Sequence, residues 1–208
     1  MFEKGSLKKV YNLIAEDWHK DHQSDDWWVG GTDKFLSLLS PRAFILDAGC
    51  GGGTKSKYFI EKGFKIVGID FSEEMITIAR REVPEGNFFI LDIQDADKLQ
   101  DNFDGIVMQA VLLHFPKKEI SMILENIISK LNQGGYLYVA VKEKKPNGPG
   151  DEIKTESDYG YSYHRFFSYF DHLEVKRYLK NAGLKIVYSN IKSSGKTNWI
   201  QLIGQKFQ

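Results

Sequence analysis

The 208-residue chain has one cysteine, Cys50, and nothing to pair it with. That excludes an intrachain disulfide framework and a zinc site built from cysteines. Net charge is missing as well. Twenty-eight Lys and Arg oppose 28 Asp and Glu, for a formal charge of +0. A dedicated nucleic-acid binder carries a clear basic excess, so nucleic acid is not an expected partner. No apolar run approaches the ~20 residues of a membrane span, and Met1-Phe2-Glu3-Lys4 opens no apolar signal region. A cytoplasmic protein without membrane association is expected. Metal-ligand spacing is also lacking. His19 and His22 lie among Asp17, Asp21, Asp25 and Asp26 without further spaced ligands, which reads as a solvated polar turn, so no metal is expected.

What remains is 42% hydrophobic and 27% charged, the balance of a globular chain. Its length suits one domain, residues 1–208. Leu7, Val10, Tyr11, Ile14, Ala15 and Trp18 fall at helical spacing. Thr32 is placed to cap a short helix that Pro41 closes. Short apolar runs then alternate with helical stretches. Strands are expected at 43–46, 65–69, 87–91, 103–108 and 136–141, with helices at 54–62, from Ser72 onward, and at 117–131. That alternation predicts parallel βαβ units in a doubly wound α/β sheet with helices on both faces. Residues 142–158 have no clear period and read as a long irregular loop. A helix at 172–182 precedes two strands, 184–191 and 199–203, joined by Lys192-Ser193-Ser194-Gly195 as an antiparallel hairpin.

The densest signal is Ile45-Leu46-Asp47-Ala48-Gly49-Cys50-Gly51-Gly52-Gly53-Thr54-Lys55-Ser56. Glycines between a strand and a helix let backbone approach a ligand closely. The dinucleotide pattern G-x-G-x-x-G fails at Thr54, and the phosphate loop G-x-x-x-x-G-K-S fails at the same residue. The pattern D-x-G-x-G-x-G is complete in Asp47, Gly49, Gly51 and Gly53. An acid beside the glycines repels pyrophosphate but suits an ammonium group. Asp70 ends the next strand about 20 residues on, where a carboxylate accepts hydrogen bonds from ribose hydroxyls. Asp92 is a third acidic strand end, suited to an adenine amino group.

These segments together resemble the class I S-adenosylmethionine-dependent methyltransferases, a seven-stranded Rossmann-like family. The matching stretches are Ile45–Gly53, Val67–Met75, Leu91-Asp92-Ile93, Phe103–Pro116 and Leu131–Leu137, in the family's order. The resemblance runs from about residue 7 to the C-terminus. It implies a mostly parallel seven-stranded sheet and S-adenosyl-L-methionine as cofactor. It implies that Gly49 and Gly51 lie against the methionine part, with Asp47 near its amino group. Asp70 would bind both ribose hydroxyls, and Phe71 and Met75 would pack near the adenine. Asp92 would accept from the adenine amino group and Ile93 would offer its backbone N–H. Gln109 and Ala110 would pass close to the methionine moiety. The family's N-terminal helices and the segment after strand five commonly cover the site. Residues 1–40 are therefore expected as a helical cover bringing Tyr11, Trp18 and Trp28 over the ligands, and 142–170 as a lid or substrate segment.

A sulfonium methyl is already electrophilic, so transfer needs alignment and exclusion of water. No nucleophile constellation is visible. His114 is the one candidate base, and fixing its loop is the competing role. Cys50 reads as structural. Residues 159–170 hold seven aromatics, and Tyr163, His164 and Arg165 are candidates for a substrate wall with Trp28. The expected function is methyl transfer to a small molecule. The alternatives are an RNA or protein methyltransferase, an NAD-dependent oxidoreductase, and a non-catalytic S-adenosylmethionine-binding protein. The motif N-P-P-Y after strand four is absent, Met108-Gln109-Ala110-Val111 standing there instead.

Overall fold

The computed structural model describes residues 4–207, with side chains from Ser6 onward. Residues 1–3 and 208 of the expected domain and cover lie outside the described residues.

Five strands run parallel: β1 (Phe44–Ala48), β2 (Lys65–Asp70), β3 (Asn87–Ile90), β4 (Phe103–Gln109) and β5 (Leu131–Lys142). Two more strands, β8 (Leu184–Ser194) and β9 (Thr197–Lys206), form an antiparallel pair whose β9 docks on β5. The sheet order is β3-β2-β1-β4-β5-β9-β8. The chain order reverses direction across the sheet at β1, between β2 and β4, where open α/β sheets bind ligands. Ile45, Leu46, Ile106, Val107 and Val139 are fully buried because helices cover both faces of the central strands.

The helices are α1 (Lys4–His22), α2 (Val29–Leu36), α3 (Thr54–Glu61), α4 (Glu73–Glu82), α5 (Ile120–Ser129) and α6 (His172–Asn181). Ser72 caps α4 as expected, its hydroxyl accepting from the Met75 N–H at 3.2 Å. Glu73 and Glu74 in the first turn and Arg80 and Arg81 in the last complement the helix dipole. The same cap holds α1. Ser72 Oγ donates to Asn12 Oδ1 at 2.6 Å, and Asn12 Nδ2 donates to Glu73 Oε2 at 2.8 Å.

Several expected boundaries move. Helix α2 starts at Val29, so Thr32 is buried inside it rather than capping it, and its hydroxyl accepts from Gln109 Nε2 at 3.1 Å. Residues Lys117–Glu119 form a 3-10 turn ahead of α5. The C-terminal strands extend to Ser194 and Thr197, leaving a tight turn at Gly195-Lys196. The largest departure lies in 142–158, expected to be irregular. It contains β6 (Asp151–Glu156), which pairs antiparallel with β7 (Tyr163–Ser168) as a separate two-stranded sheet. Pairing with the aromatic strand supplies what β6 lacks in apolar content. The β6–β7 hairpin packs against α1 and the loop after β4, where Ser168 Oγ donates to the Phe115 carbonyl at 2.7 Å.

Candidate active site

A cavity of about 380 Å³ opens over the carboxyl ends of β2, β1, β4 and β5. The turn from β1 into α3 forms its floor. Gly49 and Cys50 donate their N–H groups to the Ile69 carbonyl at 2.8 and 3.0 Å, which ties the loop to β2. Gly51 adopts φ +53°, and a Cβ there would stand 3.6 Å from the Trp18 ring and 3.9 Å from Met75 Sδ. The missing side chain thus leaves a space between loop, α1 and α4 of the kind a ligand backbone approach requires.

Asp70 faces this space at the end of β2, only 8% exposed. Its Oδ2 accepts from the Gly51 N–H at 3.1 Å and its Oδ1 from the Ser72 N–H at 2.9 Å. Burial pushes its carboxyl up to about 6, against those two backbone donors, and Asp47 and Asp92 push it the same way. Each oxygen keeps a lone pair beyond the one used by the backbone. A vicinal diol would satisfy both. Phe71, Met75, Asp92 and Ile93 line the same end of the cavity. Asp92 Oδ1 accepts from the Gln94 N–H at 3.0 Å, which fixes the carboxylate at the start of its turn.

At the end of β4, Gln109 and Ala110 line the opposite wall. Ala110 stands at φ +60°, a left-handed conformation that costs a non-glycine residue energy and clusters at ligand clamps. Gln109 Oε1 is buried with no hydrogen-bond partner among the described residues, an acceptor suited to an ammonium group. Asp47 does not reach the cavity surface. It lies behind the loop, where its Oδ2 accepts from Ser56 Oγ at 2.7 Å, and burial raises its carboxyl. Its negative field still acts through the thin glycine layer. Lys55, whose ammonium burial lowers, is drawn the other way by Asp47 and Asp25.

Beyond β4 three elements meet at one hydrogen-bonded chain. His114 Nδ1 lies 3.0 Å from the Phe166 carbonyl, an acceptor only, so that nitrogen carries the proton. Nε2 is then the acceptor, and the Tyr11 hydroxyl donates to it at 2.7 Å. Arg165 Nη1 donates to the same hydroxyl oxygen at 3.2 Å, while its other nitrogens grip Glu156 at 2.6 and 2.8 Å. Burial, with Arg165 and Lys142 nearby, pushes His114 down to about 3, against its bond to the Phe166 carbonyl. The imidazole is neutral across the ordinary pH range.

Trp28 and Arg165 reach the cavity; Tyr163 and His164 do not. Tyr163 is buried with its hydroxyl on Asp158 at 3.2 Å, and His164 Nδ1 pairs with Thr155 Oγ1 at 3.0 Å on the outer face. The period-two alternation of β7 explains the second miss, because Arg165 and His164 point to opposite sides. Sequence reasoning missed Lys142, Phe167 and Trp199, which line the wall beyond β4. Lys142 had a signal. It ends the apolar run of β5 at the edge where these sheets bind ligands. Cys50 is buried and burial pushes its thiol well up, in keeping with a structural role. Among the described residues no group of three His, Cys, Asp or Glu could hold a metal ion, and no helix is long and apolar enough to cross a membrane.

The family model described as a methyltransferase domain matches residues 15–189. The chain belongs to the methyltransferase-domain family. With the sheet order above, this is a class I fold, and the family's cofactor is S-adenosylmethionine. The glycine cradle, the paired lone pairs of Asp70 and the orphaned Gln109 acceptor fit that group. This methyltransferase-domain chain is similar to the ubiquinone biosynthesis O-methyltransferase of Coxiella burnetii, 28% identical over 133 residues that cover 55% of the chain and 56% of the relative. It thus spans about half the length of that relative. It is also 29% identical, over 64% of its length and 46% of the relative's, to the tRNA (carboxymethyluridine(34)-5-O)-methyltransferase of Saccharomyces cerevisiae. In fold it is similar to the 1,6-didemethyltoxoflavin-N1-methyltransferase of Burkholderia thailandensis, whose structure holds 1,6-didemethyltoxoflavin and S-adenosylhomocysteine. The TM-score is 0.77 at 20% identity, covering 98% of this chain and 88% of that one.

Proposed function

We propose that the protein is an S-adenosylmethionine-dependent methyltransferase acting on a small molecule. The observation that carries this reading is the position of the Asp70 carboxylate. It faces the same cavity as the glycine loop and the strained end of β4, with an aromatic compartment continuing beyond. Bound there, S-adenosylmethionine supplies an electrophilic methyl group on a sulfonium sulfur. Asp70 holds the two ribose hydroxyls. Gly49 and Gly51 admit the methionine portion, with Gln109 and Ala110 beside it and Asp47 supplying negative field at its amino group. Phe71 and Met75 pack the adenine, Asp92 accepts from its amino group, and the Ile93 N–H faces its ring.

The chain's own contribution to transfer is alignment and dryness. Helix α1, within residues 1–40, and the β6–β7 hairpin, within 142–170, act as the cover. Tyr11 joins them through His114 and Arg165. With Nε2 occupied by the Tyr11 hydroxyl and the imidazole pushed down to about 3, His114 is a poor base, and its role here is to fix the loop after β4 against α1 and the hairpin. The zero net charge and the enclosure by α1 and the hairpin favour a small acceptor over RNA, and the names of the Coxiella and Burkholderia relatives agree. The test is incubation with methyl-labelled S-adenosylmethionine and, separately, a metabolite extract, total RNA and a protein extract. Label is expected in the metabolite fraction. Label in RNA or protein alone would overturn the small-molecule reading, and binding without transfer to any fraction would leave a non-catalytic binder.

A further inference from the structure

The ligand wall beyond β4 holds a cation that no carboxylate contacts among the described residues. Lys142 ends β5 and lines the cavity, its Nζ 4.2 Å from the Phe167 ring centroid and 5.8 Å from that of Trp199. Among the described residues it makes no salt bridge and no hydrogen bond through that ammonium. The other cations near it are engaged. Arg165 is doubly bonded to Glu156, and Lys154 lies 3.7 Å from Glu152. The sheet order separates this ammonium from the cofactor residues. Those span the ends of β3, β2, β1 and β4, whereas Lys142 stands one strand further on, between β4 and β9.

We propose that the methyl acceptor is a small organic anion and that Lys142 holds its carboxylate. The inference rests on the methyltransferase reading for the word acceptor, and on this wall alone for the charge. An ammonium held among ring faces with no carboxylate in direct contact carries a partly desolvated charge, and a carboxylate entering the cavity offsets that cost. The rings of Phe167 and Trp199 flank the ammonium, so the part of the ligand next to its carboxylate meets aromatic surface. A flat carboxylic acid fits both features. Burial, with Arg165 and Lys154 close by, pushes the Lys142 ammonium down to about 8, with Glu156 and Glu152 opposing. The group is therefore largely charged at neutral pH and gains from an anion.

The test uses benzoate and its neutral counterpart benzamide, titrated by calorimetry into the full chain with and without S-adenosylhomocysteine. Benzoate should bind at least about tenfold more tightly than benzamide. Lys142→Met should abolish that preference, and Lys142→Arg, which keeps the charge, should retain most of it. Thermal melts of both variants verify folding. Equal binding of the two probes, no saturable benzoate binding, or a preference unchanged in Lys142→Met overturns the proposal. Failure of S-adenosylhomocysteine to bind defeats the cofactor reading instead, and the series without it still decides whether Lys142 holds a carboxylate.

Discussion

The Tyr11 hydroxyl on α1 donates to Nε2 of His114, 2.7 Å away and 103 residues along the chain. That one bond joins the N-terminal helix to the loop after β4. The bond from Arg165 to the same oxygen brings in the β6–β7 hairpin. Removing the hydroxyl in Tyr11→Phe leaves a buried imidazole nitrogen without its donor and costs about 1–3 kcal/mol. Chemical denaturation measures this, and an unchanged midpoint would mean that water replaces the hydroxyl.

His114 gives a pH signature. In the unfolded chain it titrates near its ordinary 6.5, and in the fold near 3. Between those values the unfolded state binds the extra proton, so this contribution is complete above about 6.5 and lost as pH falls. Asp70 acts oppositely. Its folded value near 6 exceeds the ordinary 3.8, so its contribution is present below 3.8 and lost as pH rises through 6. Denaturation of the wild type and His114→Gln over this range separates the two. The variant should lose less stability on acidification, and parallel curves would contradict the assigned tautomer and burial.

Gly49 and Gly51 predict different outcomes. A Cβ at Gly49, with φ +80°, would lie 2.3 Å from Val111 Cγ2, whereas one at Gly51 meets only ordinary contacts. Gly49→Ala should therefore lower stability and binding together. Gly51→Ala should lower stability by about 1–2 kcal/mol from its positive φ and weaken S-adenosylhomocysteine binding by more. In Gly51→Ala, a binding loss by calorimetry no larger than the stability loss by melts would make that glycine purely structural.

The β6–β7 hairpin carries a partly buried ion pair between Arg165 and Glu156. Glu156→Gln keeps one acceptor oxygen, leaving Arg165 with its charge and two of its three side-chain hydrogen bonds, at a cost of about 3 kcal/mol. Hydrogen exchange should accelerate across 151–168 and in α1 around Tyr11. Exchange confined to the hairpin would show that the hairpin and α1 move independently.

The central sheet was legible because four of its five parallel strands lead into a chemical marker: Asp47 before the glycines, Asp70, Asp92, and Gln109-Ala110. Local sequence carries that information. The β6–β7 hairpin was not legible, since β6 reads Asp-Glu-Ile-Lys-Thr-Glu and owes its form to a partner strand and to α1 rather than to its own periodicity. Thr32 misled for the same reason. Its hydroxyl serves Gln109 across the core instead of the helix end nearest in sequence. Aromatic content marked 159–170 as a wall, but only strand register could separate Arg165, which lines the cavity, from His164, which does not.

The most direct measurement is calorimetric titration of S-adenosylhomocysteine into the wild type and Asp70→Ala, at several pH values. One-to-one binding is expected, strengthening from about pH 5 to about pH 7 as the carboxyl ionises, because ribose hydroxyls donate to the charged form. Asp70→Ala, verified as folded by its melt, should lose roughly 1.5–3 kcal/mol of affinity and the pH dependence with it. Affinity unchanged in the variant, or no binding of S-adenosylhomocysteine while NADH binds, would contradict the account.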